Sequence, residues 1–270
     1  MATGKMRYYS VAQGGQVEFC YVLPNDIPAE MTQGNPNFKR PAKTLYLLHG
    51  YSGNESDWEY NGSAEDLAAQ FNLNVIMISA GNNFYLDRAA TGRQYGTFAG
   101  QEIVNYTRKL FGLSVRKADT LIGGLSMGGF GAIHTALAYP DTFGGVIALS
   151  SALIVHEVAQ MKKGSDPLNG AANLAYYQEV FGDFENVLNS DANPEWLYEK
   201  LQKKGEKIPP IYLAVGTEDF LYQNNQDFRK FLEAHDADMK YEEGPGIHDW
   251  KFWNQYVVRG VAWILERVGA

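Results

Sequence analysis

Cysteine is almost missing from this chain, which has Cys20 alone among 270 residues. A single thiol forms no intramolecular disulfide and builds no cysteine-based zinc site. Its expected place is as a small apolar filler in an early strand. Basic charge is also scarce. Lys and Arg number 23 against 31 Asp and Glu, for a net charge of −8. That balance disfavours nucleic acid, a polyanion that binds basic surfaces. Long apolar runs are missing too. The longest weakly polar stretch, Gly144 to Val155, is well short of the ~20 residues that span a bilayer, so no membrane partner is expected. Met1 to Ser10 is mixed and polar, without the charged-then-apolar pattern of a leader. The expectation is a soluble protein, cytoplasmic or, if a leader has been removed, secreted.

What is present suits one α/β domain over residues 1–270, long enough to bury a large core. Short β-rich runs alternate with helical patterns, which argues for a mostly parallel sheet covered on both faces by helices. The buried strands are read at Thr44-Leu-Tyr-Leu-Leu48, Val75-Ile-Met-Ile78, Thr120-Leu-Ile122, Val146-Ile-Ala-Leu149 and Ile211-Tyr-Leu-Ala-Val215. Val17 to Tyr21 reads as an early antiparallel strand, and Met239 to Glu242 as a strand between the last two helices. Helices are expected over 98–111, 129–139, 225–234 and 250–268, and Pro24 to Pro41 as a surface loop. From about Ser151 to Lys207 the rhythm breaks, and this stretch is read as an insertion over the sheet edge and active site.

Gly124-Leu125-Ser126-Met127-Gly128 fits the pattern GxSxG. In that pattern a serine sits on a strained strand-to-helix turn, where side chains at the flanking positions would clash. A chain of this composition carries the pattern by chance roughly once in eight, so the context matters. Here a strand precedes it, a helix follows, and Gly123, Gly129 and Gly131 leave room for close packing. The fold this points to is the α/β-hydrolase fold, with Ser126 as nucleophile.

A serine hydroxyl needs a base, and the base needs an orienting acid. On this fold they follow the serine in the order acid, then histidine. Of His49, His134, His156, His235 and His248, only the last three follow Ser126. His156 comes before the last central strand, and His235 ends a helix. His248 lies in the turn Gly244-Pro-Gly-Ile-His-Asp249 and is the base. The loop Gly216-Thr-Glu-Asp219 supplies the acid, with Asp219 first and Glu218 second. Asp249 reads as the cap of the last helix. An oxyanion also needs two backbone donors. Met127 N–H is one, and Tyr51 N–H, with Ser52 as alternative, is the other. His49 reads as a brace for that loop.

Four segments, His49-Gly-Tyr-Ser-Gly-Asn-Glu-Ser-Asp-Trp58, Gly124-Leu-Ser-Met-Gly-Gly129, Gly216-Thr-Glu-Asp219 and Gly246-Ile-His-Asp-Trp250, together resemble the esterase D-like α/β hydrolases. That group includes tributyrin-type esterases, feruloyl and acetyl-xylan esterases of carbohydrate esterase family 1, and S-formylglutathione hydrolases. The resemblance runs from about Leu45 to the C-terminus. It implies a triad of Ser126, Asp219 and His248, an oxyanion hole from the Tyr51 and Met127 N–H groups, and no metal or organic cofactor. S-formylglutathione hydrolases usually carry a cysteine in the loop that here reads Tyr51-Ser-Gly-Asn54, whereas Gly53 to Trp58 looks more like the feruloyl type.

Trp58, Tyr85, Tyr176 and Trp196 are placed in loops or in the insertion, where they could stack on a phenolic acyl group or a sugar. The favoured function is hydrolysis of carboxylic esters through an acyl-enzyme, with feruloyl esters of plant polysaccharide such as xylan as substrate. The alternatives are a short-chain acyl esterase (tributyrin or acetyl), an S-formylglutathione hydrolase, an acyltransferase, and, from another class, a non-catalytic carbohydrate-binding protein. The expected partner is a small-molecule or polysaccharide-linked ester, and self-association into a homo-oligomer is left open.

Overall fold

The computed structural model describes residues 1–88, 90–162 and 172–269. Its centre is one eight-stranded sheet in the order β1-β2-β4-β3-β5-β6-β7-β8. The strands are β1 (Ala2–Ser10), β2 (Gly15–Leu23), β3 (Lys43–Leu48), β4 (Leu73–Ile78), β5 (Thr120–Leu125), β6 (Gly145–Leu149), β7 (Ile211–Gly216) and β8 (Met239–Gly244). β1 and β2 form an antiparallel hairpin, and β2 is antiparallel to β4; every other pairing is parallel. The architecture is that of an α/β hydrolase.

Why the centre is parallel follows from its side chains. β3, β5, β6 and β7 are buried along their whole length, as strands covered on both faces must be. The twofold alternation then divides them between two cores. Tyr46 and Leu48 of β3 join Ile122 and Phe130 on one face, while Leu45 and Leu47 join Leu121, Ile147 and Tyr212 on the other. Each fully buried Leu or Ile of this kind contributes about 1.5–3 kcal/mol.

Helices α1 (Ala64–Phe71) and α7 (Trp250–Val268) cover one face; α2 (Ile103–Phe111) and α3 (Met127–Ala138) cover the other. Between β6 and β7 come a short helix over Val155–Gln160, then α4 (Leu174–Phe181) and α5 (Pro194–Lys203); α6 (Tyr222–Ala234) follows β7. Part of the expected insertion, 163–171, falls outside the described residues. The rest shares the main core: Phe181 of α4 packs its ring 5.0 Å from Phe84 and 6.0 Å from Phe130. Among the described residues, no helix is long and apolar enough to cross a membrane.

β1 had no counterpart among the expected elements. Its residues alternate between exposed and half-buried along the sheet edge, so it carries no continuous apolar run to read. The segment 98–111, expected as one helix, opens with a π-helical turn over Phe98–Glu102 before α2. The loop over 24–41 holds two single turns, Ala29–Thr32 and Pro36–Lys39, with no buried residue in either.

One of the close approaches in the fold is where α3 meets β3. A Cβ on Gly128 would lie 2.5 Å from the Leu48 carbonyl oxygen and 2.6 Å from that of His49. Neither is a movable side chain, so Gly128→Ala is expected to destabilise the protein by about 3 kcal/mol. Urea denaturation checks this; an unchanged midpoint would contradict such close packing.

Candidate active site

Ser126 stands between β5 and α3 with φ 55° and ψ −120°. A non-glycine residue held there costs about 1–3 kcal/mol and persists only where its neighbours over-determine it. Three backbone bonds do so. Ser126 N–H donates to Leu149 O at 2.8 Å, while Ser126 O accepts from Ala152 N–H at 2.9 Å and Phe130 N–H at 3.1 Å. A Cβ at Gly124 would run into the Gly128 carbonyl, so the flanking glycines are required by contact. The bend carries the Ser126 hydroxyl at the carboxyl end of the sheet, on a residue that is nine-tenths buried.

Two further loops reach the same edge. Asp219 follows β7 and His248 follows β8. Their side chains meet: His248 Nδ1 lies 2.8 Å from Asp219 Oδ2 and 3.0 Å from Oδ1. Asp219 also accepts from Leu221 N–H at 2.9 Å, as a buried carboxylate must if it is to keep its charge. The bond at Nδ1 turns Nε2 of His248 away from the acid. Among the described residues, neither Nε2 nor the Ser126 hydroxyl has a hydrogen-bond partner, a common condition in a substrate-free site.

The two loops are stitched together. Thr217 N–H donates to Gly244 O at 2.9 Å, and Glu218 N–H to Gly246 O at 3.0 Å. Glu218 returns the contact, its carboxylate accepting from Gly246 N–H at 2.7 Å. That bond, aided by the Thr217 hydroxyl, holds the Glu218 carboxyl below its ordinary range. Glu218 therefore shapes the histidine loop, while Asp219 touches the histidine itself. Asp249 accepts from Phe252 N–H at 3.0 Å and caps α7.

The loop over 49–53 lies against the serine. A Cβ on Gly50 would be 3.4 Å from that of Ser126. Ser52 N–H is already used, donating to Asn82 Oδ1 at 2.7 Å. Neither Tyr51 N–H nor Met127 N–H donates a hydrogen bond among the described residues. His49 braces the loop: Nδ1–H donates to Gly50 O at 2.7 Å, and Nε2 accepts from Ala80 N–H at 3.2 Å. Burial pushes the His49 pKa down, against the opposing pull of the Gly50 carbonyl. A neutral ring suits this role, because a second proton would face the Ala80 N–H.

Two of the four aromatic residues expected to touch substrate do other work. Trp58 is 1% exposed and donates from Nε1 to Leu48 O at 3.0 Å. Tyr85 is fully buried and donates from its hydroxyl to His49 O at 3.0 Å. Both rings fill core, and their polar ends satisfy the carbonyls where β3 runs into the loop. They are scaffold, so the expectation of surface stacking is corrected. Tyr176, on α4, sets its ring 5.8 Å from that of Tyr51 at 87°, beside the serine loop. Trp196, on α5, lies half-buried beneath the Lys200 ammonium, 4.3 Å from the ring centre.

Three contributors went unseen in the sequence. Trp253 lies edge-on to His248 at 4.9 Å and donates from Nε1 to the Ser150 hydroxyl at 3.0 Å. Ser150 N–H in turn donates to Ala214 O at 2.7 Å. Asn225, fully buried, binds both the N–H and the carbonyl of Ser151, at 3.1 and 2.9 Å. These residues tie the histidine and the β6 turn to the serine bend. No motif marks them, since each is an ordinary residue of a helix or turn.

The sequence pattern of the family described as "Putative esterase" matches residues 14–264. The chain belongs to this esterase family. The esterase is 40% identical to an acetyl esterase of Caldicellulosiruptor saccharolyticus over 98% of this chain and 99% of that one. Its fold matches a fluorophosphonate-binding serine hydrolase, FphF, of Staphylococcus aureus at TM-score 0.83 and 29% identity, covering 100% and 99% of the two chains. It also matches an S-formylglutathione hydrolase, FrmB, of the same organism at TM-score 0.80 and 28% identity, covering 99% of each. The protein is a carboxylic ester hydrolase of the serine type.

The contacts of Asp219 and Glu218 separate the two acids. Asp219→Asn is expected to lower turnover about 10⁴-fold, because the imidazole loses its orienting charge and tautomer. Glu218→Gln keeps an acceptor for Gly246 N–H and is expected to change turnover little. Steady-state kinetics on one ester checks both, and the reverse ranking would exchange the roles.

Proposed function

We propose that the esterase hydrolyses short-chain acyl esters, acetyl esters foremost, with Ser126, His248 and Asp219 as its triad. The observation that carries the proposal is the pairing of His248 Nδ1 with Asp219 at the same end of the sheet as a serine held on a strained bend. Ser126 Oγ attacks the ester carbonyl and passes its proton to His248 Nε2, while Asp219 stabilises the imidazolium. The carbonyl oxygen becomes an oxyanion held by the N–H groups of Tyr51 and Met127. Each such donor contributes about 2.7–4 kcal/mol to the transition state. The intermediate collapses, the carbon–oxygen bond to the alcohol breaks, and the alkoxide takes the proton from Nε2. Water then attacks the acyl-enzyme, giving its proton to the same nitrogen; the bond from the acyl carbon to Ser126 Oγ breaks, Oγ takes that proton back from Nε2, and the carboxylic acid leaves. No cofactor takes part in these steps.

The choice of acyl group rests on two points. A relative 40% identical over nearly the whole chain is an acetyl esterase. Two of the four aromatics that would have stacked on a phenolic acid are buried scaffold. Feruloyl esters are the second reading, supported by Tyr176 standing against Tyr51 beside the serine.

Comparing kcat/KM for 4-nitrophenyl acetate, tributyrin, methyl ferulate and S-formylglutathione tests this order. The acetate and tributyrin are expected to lead, and Ser126→Ala to lower turnover of each at least ~10⁴-fold. Preference for methyl ferulate would reverse the two readings. Hydrolysis retained in the serine variant would refute the triad.

A further inference from the structure

Resting on that reading of the triad, we propose that Phe220 and Ile247 form an apolar platform for the alcohol portion of the ester, and so set leaving-group specificity. Each adjoins a triad residue in the chain: Phe220 follows Asp219, and Ile247 precedes His248. Both belong to turns, where solvent-facing positions are usually polar. Yet each is 56% exposed, among the few large apolar side chains of the described residues that face solvent. Single exposed hydrophobes need no explanation. Two of them next in the chain to triad residues, at the carboxyl edge of the sheet, with Phe220 against the histidine ring, do.

The imidazole of His248 is confined differently on each side. Asp219 holds Nδ1. Trp253, 6% exposed, meets the ring at a right angle, with centroids 4.9 Å apart. Phe220 covers it with a tilt of 45° and a centroid separation of 4.5 Å. Trp253 is locked in place through Ser150 and serves as the inner wall. Phe220 has the same closeness to the ring but leaves more than half of itself open to water. An aromatic placed only to hold the ring would be expected to be covered, as Trp253 is.

Proton transfer fixes what comes to this side. The departing alkoxide receives its proton from Nε2, so the alcohol portion must sit against the part of the imidazole that Asp219 leaves free. The acyl carbon stays bonded to Ser126, against the Tyr51 loop. An apolar or aromatic alcohol would therefore cover the open ring of Phe220 and the side chain of Ile247. A small alcohol would leave them wet. Covering such a ring favours the bulkier alcohol by about tenfold.

The test measures kcat/KM for ethyl, hexyl and phenyl acetate, which share an acyl group, and for ethyl acetate against ethyl butyrate, which share an alcohol. In Phe220→Ala the preference for phenyl over ethyl acetate is expected to fall about tenfold, and Ile247→Ala should lower the preference for hexyl over ethyl acetate. The acetate-to-butyrate ratio and the pH profile should follow the wild type. Val115→Ala, which trims an exposed hydrophobe elsewhere, serves as control. An equal loss on all three acetates, or a displaced pH profile, would show that Phe220 only positions the imidazole and would overturn the proposal. So would a loss that follows the acyl group. A wild-type protein inert towards every ester would instead refute the triad reading beneath it.

Discussion

The backbone at Ser126 is held where side-chain-bearing residues rarely sit, and the surrounding structure is arranged to keep it there. A strain of about 1–3 kcal/mol would relax if the chain had anywhere else to go. It does not. The Ser126 amide and carbonyl are bound to the β6 end and to α3, and glycine at positions 124 and 128 lets strand, helix and the β3 loop close on one another. The consequence is chemical: a serine inside a regular helix would point its hydroxyl along the helix side, whereas this one presents it above the sheet edge.

The loop over 49–53 obeys the same logic from the other side. In the proposed mechanism its useful groups are N–H donors, and a donor is useful only if nothing within the protein claims it. The structure satisfies the carbonyls and, among the described residues, gives Tyr51 N–H no acceptor. Leu48 and His49 carbonyls accept from Trp58 and Tyr85, Gly50 from His49, and Ser52 gives its N–H to Asn82. Several large side chains are thus used to hold a short stretch of backbone still, the form that preorganised electrostatic stabilisation takes.

How much of this was legible in the sequence depended on whether the signal was local. The parallel strands were readable because burial on both faces writes a continuous apolar run, as in Leu45 to Leu48. The bend at Ser126 was readable because two close approaches exclude every residue but glycine. His248 and Asp219 followed from chain order on this fold, and the bond between them is in the structure. β1 was not readable, since an edge strand half-covered on one face alternates weakly. Trp58 and Tyr85 were misread for a different reason. A tryptophan or tyrosine near a loop looks alike in sequence whether its ring faces substrate or core, and only tertiary packing decides. Ser150, Asn225 and Trp253 were invisible because their partners lie dozens of residues away.

The central claim is that one hydroxyl, at Ser126, is uniquely nucleophilic because of this geometry. Treatment with an alkyl fluorophosphonate, followed by peptide mass spectrometry, tests it most directly. The reagent loses fluoride to an activated serine and leaves a stable phosphonyl ester that mimics the tetrahedral intermediate. The account predicts one adduct, on the peptide bearing Ser126, formed rapidly in the wild type and lost in His248→Ala. An adduct on another serine, or equal labelling without His248, would contradict it.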